Sequence, residues 1–320
     1  MPSRYIKNLL VLAAVETTPG VEVVPTGAAN AILTSEATIT PLDAQNIDRG
    51  LMRGTFGASE QLVGPASVKA SYTVELAGSG TAGTAPAWGK LLQACGCAEG
   101  TLTTPARVEY TPVSTGQRST TQYYYDDGAL HKLLGAMGDF TLSAKAGERP
   151  VIKIDWTALD GGMATGSDTG NFSTWKKPVA MTKANVIDIT LGCSYAAGAI
   201  TGGTLYSSTG LEMKSGNQVQ FTPLLGTETV DITDRESTGS LELDLTAAQE
   251  VAMMALVKSN ATQSLAITIG LTSGNKIIFF APAVQLLAPK KVDRNGKRLI
   301  GYDLRFMPVN GNDEWRIVVL

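Results

Sequence analysis

The chain has 320 residues, of which 43% are hydrophobic, so it is long enough to bury two cores of ordinary size. Its formal net charge of −3 argues against a protein that binds duplex nucleic acid through a basic surface. The three cysteines, an odd number, argue against a disulfide framework and favour a reducing cytosol.

An N-terminal arm is predicted for residues 1–35, because they carry few charges and many Pro, Gly and Thr residues. The apolar run Leu9–Val15 is stopped by Glu16 and has no cleavage site, so it is a poor signal peptide. No run approaches the ~20 apolar residues of a membrane-spanning helix. We therefore expect a soluble protein without a membrane span.

Period-two alternation of apolar and polar side chains dominates the rest of the chain and predicts half-buried strands. The four clearest runs are Tyr72–Leu76, Leu241–Leu245, Leu265–Leu271 and Ile300–Phe306. Pairs of glycine and asparagine tolerate the positive φ of tight turns. They predict turns at Gly274-Asn275, Asn295-Gly296 and Asn310-Gly311. The chain is therefore expected to be mainly β.

Few helices are predicted. One begins near Pro86, a favoured residue of the first turn, and ends at Gly96. Its apolar residues share one face: Trp88, Leu91, Leu92 and Cys95. A second helix begins at Thr246, where Gln249 completes a capping box, and ends at Ser259-Asn260. One side of it carries Val251, Met254, Ala255 and Lys258. A shorter helical turn is predicted near Leu130–Leu134.

The same order of elements occurs twice along the chain. Gly54-Thr55 leads into the strand at Tyr72–Leu76 and then into a helix. Gly226-Thr227 leads into Leu241–Leu245 and then into a helix. Similar turns, Gly147–Arg149 and Gly296–Arg298, each precede a further strand. We therefore predict two tandem domains of β-sandwich or barrel type, each with a flanking helix.

The repeated order also sets the predicted domain boundaries. Domain 1 spans residues 36–160 and carries an insertion at about 100–126 that is rich in Thr, Ser and Tyr. A stretch rich in Gly, Thr and Asp predicts a linker at residues 161–180. Domain 2 then spans residues 181–320.

Gly78–Gly83 has the spacing G-x-G-x-x-G, which in a parallel β-α-β unit holds a dinucleotide at a helix N-terminus. The preceding strand alternates, however, whereas a buried parallel strand is nearly all apolar. No second apolar strand follows the predicted helix. A flexible loop between strand and helix is the simpler explanation, and a nicotinamide-dependent oxidoreductase is kept as a remote alternative.

Other candidate groups also have simpler structural explanations. His131 is the only histidine, which argues against histidine-based metal sites and catalytic triads. Cys95 lies on the apolar helix face, and Cys97 has no second cysteine pair, so a core role is favoured over zinc. The Tyr123–Tyr125 run has few basic neighbours, which favours packing or subunit contact over base stacking. A barrel that binds single strands is disfavoured by the net charge, and no cofactor or metal is expected.

Several longer phrases are typical of one protein family. They are Leu9–Glu16, Pro25–Leu33, Ile39–Leu42, Gly80–Gly89, Leu91–Gly96, Val108–Ser114 and Asp127–Leu133. Through these phrases the chain resembles the major tail tube proteins of long-tailed, siphovirus-like bacteriophages. The second half resembles the family in its pattern of apolar and polar residues more than in exact residue matches. The polar strand after Lys145–Pro150 departs from the family pattern.

The resemblance implies a structural protein of the virion tail that is not an enzyme. Family members form rings of six β-sandwich-like domains, and the rings stack into a hollow tube through which double-stranded DNA passes. Two domains per chain imply a trimeric ring with pseudo-sixfold symmetry, assembled in the host bacterial cytoplasm. The implied partners are tape-measure, tail-terminator and distal tail proteins. A tube-initiating or tail-completion protein of the same fold is the nearest alternative.

A lumen along which DNA slides should be neutral or acidic, because basic groups would hold the phosphates. The polar residues of the alternating strands are the candidates for this surface: Glu75, Asp155, Glu242, Asp244 and Asp303. A solvated outer face explains the same carboxylates equally well. In a stacked tube, residues 1–35 are expected to bridge to a neighbouring ring or subunit.

Overall fold

The computed structural model describes residues 3–320 and consists mainly of antiparallel strands. Within that range the helices are α1 (Gly27–Asn30), α2 (Gly89–Gln93) and α3 (Ala247–Lys258). The strands of the first half are β1 (Leu9–Val15), β2 (Ala31–Ile32), β3 (Thr34–Asp48), β4 (Gln61–Glu75), β5 (Cys97–Thr103), β6 (Ala106–Pro112), β7 (Thr120–Asp126), β8 (Ala129–Lys145) and β9 (Val151–Thr165). The strands of the second half are β10 (Val186–Ala196), β11 (Ala199–Leu205), β12 (Ser207–Lys214), β13 (Asn217–Leu224), β14 (Thr227–Arg235), β15 (Thr238–Asp244), β16 (Thr262–Ile269), β17 (Ile277–Arg294), β18 (Lys297–Met307) and β19 (Arg316–Val319). None of the three helices in this range is long and apolar enough to cross a membrane.

The mainly β class is confirmed, and the four predicted runs lie in β4, β15, β16 and β18. In β18 the alternation is retained, since Tyr302 and Leu304 are buried while Asp303 is exposed. In β16 all residues from Leu265 to Ile269 are buried. This strand has apolar neighbours on both sides: one side belongs to the main core, and the other packs with Phe280 in a second cluster.

One hydrogen-bonded sheet includes strands from both halves of the chain. One path of eleven strands runs, in spatial order, β3–β4–β9–β8–β12–β15–β18–β17–β16–β10–β11, and every pairing is antiparallel. Two branches leave this path: β7–β1–β2 extends from β8, and β19–β6–β5 extends from β17. The two halves are thus joined by main-chain hydrogen bonds at β8–β12 and at β6–β19.

Six strand pairings of the first half recur in the same chain order in the second half. In the first half they are β1–β2, β1–β7, β7–β8, β8–β9, β4–β9 and β3–β4. In the second half they are β10–β11, β10–β16, β16–β17, β17–β18, β15–β18 and β12–β15. The helices α2 and α3 occupy the same place in this order, after β4 and β15. The β5–β6 hairpin, which overlaps the predicted insertion, has no counterpart in the second half of the described chain.

The helix predicted from Pro86 to Gly96 is shorter in the structure. Pro86 begins a separate turn, in which the Gly89 N–H donates to its carbonyl oxygen at 2.9 Å, and α2 covers only one turn after it. Gly96 then takes a φ of 71°, which ends the helical conformation. The predicted apolar face is confirmed, because Trp88 and Leu91 are almost fully buried.

The capping box of α3 is confirmed: the Thr246 side chain accepts from the Gln249 N–H, and the Gln249 side chain accepts in return. The side of this helix that carries Val251, Met254, Ala255 and Lys258 is not the side that meets the core. Met253 is buried and Val257 packs against the core, whereas Val251 is 71% exposed. Apolar residues occur on more than one side of α3, so periodicity alone does not decide which side meets the sheet.

The helical turn predicted at Leu130–Leu134 is also wrong, because these residues lie in β8. Both edges of this segment are hydrogen-bonded, to β7 on one side and to β9 on the other. Leu130 and Leu133 are buried between them. The hydrogen bonds and packing supplied by two neighbouring strands outweigh the helix propensity of a leucine-rich sequence.

Parts of the predicted arm and linker belong to the sheet. Residues Leu9–Val15 form β1, which pairs with β7 along its whole length, and Leu12 is fully buried. β9 continues to Thr165, into the range predicted as a linker, and residues 166–180 are irregular. The division of the chain into domains remains a prediction.

Candidate functional site

The five predicted carboxylates share one face of the sheet. Residues directly opposite each other on antiparallel strands project to the same side, and so do residues two apart along a strand. A row of opposed residues crosses six strands: Glu75, Val151, Ser143, Glu212, Ser240 and Asp303. Asp155 follows Val151, and Glu242 and Asp244 follow Ser240, at the two-residue spacing of this side. We call the surface formed by these nine residues the polar sheet face.

The apolar partners of the same strands fill the core on the opposite side. They include Tyr72, Val74, Ile152, Ile154, Leu241, Leu243, Tyr302 and Leu304, all of them buried. Burying one such side chain stabilises the fold by roughly 1.5–3 kcal/mol. A slip of one residue in any strand would exchange the two sides, so the core fixes the register that holds the carboxylates together.

Each of the five carboxylates has a basic partner, which the sequence reasoning missed. The pairs are Glu75–Arg149 (2.9 Å), Asp155–Lys153 (3.6 Å), Glu242–Arg294 (3.0 Å), Asp244–Lys297 (2.9 Å) and Asp303–Lys290 (3.2 Å). The Gly-x-Arg turns and the two-residue spacing of Lys153 and Asp155 were the available signals. The candidate carboxylates therefore belong to a charge-balanced surface and not to an acidic one.

The pair formed by Glu242 and Arg294 has the most complete geometry. The Arg294 Nε and Nη2 atoms donate to the two Glu242 carboxylate oxygens at 3.0 and 3.2 Å, and the Thr209 hydroxyl donates at 3.2 Å. The hydrogen bonds from Arg294 lower the pKa of Glu242. Because the side chains are partly exposed, such pairs add little stability. Their main effect is on what the surface attracts.

The Gly78–Gly83 loop is occupied by the chain itself. The Gly78 N–H donates to the Asn275 Oδ1 atom at 2.8 Å, and the Gly80 N–H donates to the Gly274 carbonyl oxygen at 2.8 Å. A Cβ atom on Gly78 would lie 2.2 Å from that same carbonyl oxygen. Gly78 thus allows two backbone segments to approach closely, and the amides of Gly78 and Gly80 are not available to a pyrophosphate.

The remaining candidate side chains have structural roles. His131 is buried beside Tyr124, with ring centroids 6.4 Å apart, and burial lowers its pKa. Cys95 and Cys97 are buried, and burial raises the pKa of both thiols. The core role predicted for Cys95 is confirmed. The packing role is confirmed for Tyr123 and Tyr124, since both are almost fully buried.

These features describe a mainly β protein whose glycine loop contacts its own chain and whose polar sheet face pairs its charges. The model of the family described as phage tail tube protein matches residues 7–308. The chain therefore belongs to the phage tail tube protein family. It forms the tail tube of the virion and is not an enzyme. Comparison with curated proteins gives no match.

Gly78→Ala should destabilise the fold by roughly 1–3 kcal/mol, the usual cost of overpacking. The added methyl group would meet the Gly274 carbonyl oxygen, which belongs to backbone and cannot rotate away. Urea denaturation measures the free energy of unfolding. Gly100→Ala is the matched control, because the nearest atom to its Cβ is 3.8 Å away. Equal losses in the two variants would contradict the close-approach explanation.

Arg294→Gln should raise the pKa of Glu242 toward its ordinary value near 4.5. A carboxyl group whose folded pKa is lowered stabilises the fold above its unfolded pKa, and this contribution is lost as the pH falls through the folded pKa. The wild type should therefore be the more stable protein at neutral pH. Urea denaturation at a series of pH values should show the difference shrinking below about pH 4.5. A difference that is constant down to acid pH would refute the role of this pair.

Proposed function

We propose that each copy of this tail tube protein contributes two tube domains to a ring, residues 36–160 and 181–320, with residues 161–180 between them. Three copies then close a trimeric ring with pseudo-sixfold symmetry. The recurrence of six strand pairings in the same chain order carries this proposal. Strand β1, from the segment predicted as an arm, would complete domain 1 as β10 completes domain 2.

The polar sheet face is the surface that we assign to the lumen. It is continuous across both halves, and its carboxylates already have basic partners. Duplex DNA carries one negative charge per ~1.7 Å of its axis, so a surface of free basic groups would hold it. Paired charges offer phosphates little gain, and DNA would pass without sequence-specific binding.

Ring stacking requires exposed apolar surface away from this face. The tip of the β3–β4 hairpin exposes Met52 and Phe56 completely, and the tip of the β13–β14 hairpin exposes Leu225 in the same way. We assign these tips to the contact with the next ring. The bridging role of residues 1–35 then excludes β1, since β1 itself is buried in the sheet.

Tape-measure, tail-terminator and distal tail proteins are the proposed partners inside the tube and at its ends, by analogy with the family. A tube-initiating or tail-completion protein of the same fold would form a ring that does not polymerise. Assembly behaviour therefore separates the two functions.

Purified protein should form hollow rings or tubes with a ring mass of three chains. Negative-stain electron microscopy over a concentration series, with light scattering for the mass, tests this. A mass of six chains would preserve the tube function but reject two tube domains per chain. Rings that never stack at any concentration would favour the tube-initiating alternative.

The double variant Glu242→Lys with Asp244→Lys should slow or block DNA passage without stopping tube assembly. It replaces two ion pairs by unpaired positive charges, which would hold phosphates. Infectivity and DNA release of particles built with the variant are the measurements, with electron microscopy to verify the tubes. The swap Glu242→Arg with Arg294→Glu keeps the pair and should retain infectivity. Normal infectivity of the lysine variant would instead favour a solvated outer face.

A further inference from the structure

Within one chain, the two halves meet at an edge contact between β8 and β12. Five consecutive pairs form it, from Thr141 opposite Lys214 to Lys145 opposite Gly210. Two ion pairs cross this contact: Lys145–Glu212 at 2.5 Å and Lys214–Asp139 at 3.2 Å. If the halves occupy equivalent positions in a ring, the same contact is needed again wherever one copy meets the next.

The recurring pairings identify the strands that would form this second contact. β17 occupies in the second half the place of β8, and β3 occupies in the first half the place of β12. Within the described chain, β3 pairs only with β4, and Lys290–Arg294 of β17 pair only with β18. Each strand thus has an edge whose N–H and C=O groups are free to receive another strand.

The register of β3 follows from the residues that β3 and β12 each face on their neighbouring strands, β4 and β15. Thr38 lies opposite Ser71, and Glu212 lies opposite Ser240. Ser71 and Ser240 each lie opposite an aspartate of the next strand, so they are equivalent. Thr38 therefore corresponds to Glu212.

The register of β17 follows in the same way. Leu142 of β8 lies opposite Ile152, and Lys291 of β17 lies opposite Ile300. Ile152 and Ile300 each lie three residues before the equivalent aspartates, Asp155 and Asp303, so Leu142 corresponds to Lys291. The next residue of β8, Ser143, then corresponds to Val292.

A shared backbone irregularity supports this alignment. Glu36 and Gly210 lie two residues before Thr38 and Glu212, and both have positive φ, 54° and 117°. The register with the neighbouring strand shifts at each of these positions. A non-glycine residue at positive φ is uncommon, so an irregularity at the same place in both halves is a specific correspondence.

We propose that residues Glu36–Thr40 of one copy pair antiparallel with Lys290–Arg294 of the next copy, with Thr38 opposite Val292. The proposal rests on the trimeric ring proposed above and supplies its subunit boundary. In this register, Glu36 lies opposite Arg294.

Charge complementarity favours a second copy of this chain as the occupant of the edge. The segment Glu36–Thr40 carries one acidic residue, Glu36, and no Lys or Arg. Glu36 would join Glu242 beside Arg294, whose side chain is 58% exposed. The segment Lys290–Arg294 carries three basic residues and one acidic residue. Opposite charges on facing strands stabilise a pairing, and like charges oppose it.

Five other strands, β2, β5, β11, β13 and β14, also pair on one side only within the part of the chain that the structure describes. No contact inside the chain provides a pattern for pairing them with another copy. In β11, Gly202 and Gly203 take positive φ, which interrupts the regular edge. Pairing through β11 is therefore treated as an outcome of the test.

The test introduces Thr38→Cys and Val292→Cys together into the full-length chain. Residues directly opposite on paired strands bring their Cβ atoms within reach of a disulfide bond. The native cysteines are buried, and burial raises the pKa of their thiols, so they will not compete. Mild oxidation of assembled rings should convert most chains into covalent trimers on non-reducing gels.

Three further cysteine pairs make the result decisive. Ser143→Cys with Glu212→Cys reproduces the contact inside one chain and should give an intrachain bond without a gain in mass. Thr40→Cys with Lys290→Cys tests the same register if the first pair impairs assembly. Thr38→Cys with Leu205→Cys tests the β11 edge.

Trimeric rings in which neither proposed pair cross-links, or in which the β11 pair does, would overturn this interface while leaving the trimer intact. Absence of rings in the wild-type protein would instead reject the proposed function. Covalent trimers from either proposed pair, together with the intrachain bond of the control pair, are the result expected.

Discussion

The hydrogen-bonding demand of strand edges is the constraint on which the rest of this structure depends. A buried backbone N–H or C=O needs a hydrogen-bond partner, and the free edge of a strand is a ready site for another strand. β8, with 17 residues, meets this demand by pairing with β7 along its first part and with β12 at its end. The same arrangement joins the two halves of the chain. It also makes the polar sheet face continuous from one half to the other.

Burial on one side of the sheet leaves the other side free to be polar. The core residues set the register, because a one-residue slip would expose them. The opposite side then needs only to stay hydrated, and it does so with exposed ion pairs that contribute little to stability. Such a surface has the property that we propose for the inner wall of the tube, because paired charges hold a polyanion weakly.

Local patterns predicted the elements whose environment is simple. The alternation of β4, β15 and β18 was correctly predicted, because each strand has one buried and one hydrated side. The capping box of Thr246 was correctly predicted, because it depends only on hydrogen bonds to a residue three positions away. Errors arose where distant strands supply the partners. Leu130–Leu134 became a strand between β7 and β9, and α3 packs through Met253 because the sheet covers that side.

The sequence by itself determined the family, through its characteristic segments. It also determined the mainly β class and the shared side of the five carboxylates, through the period-two spacing of apolar and polar residues. The tertiary structure decided which cations meet those carboxylates and why Gly78 must be glycine. Arg294 and Glu242 are far apart along the chain, as are Gly78 and Gly274, and only the folded sheet brings each pair together. Contacts of this kind depend on the register of several strands at once, and no local pattern encodes them.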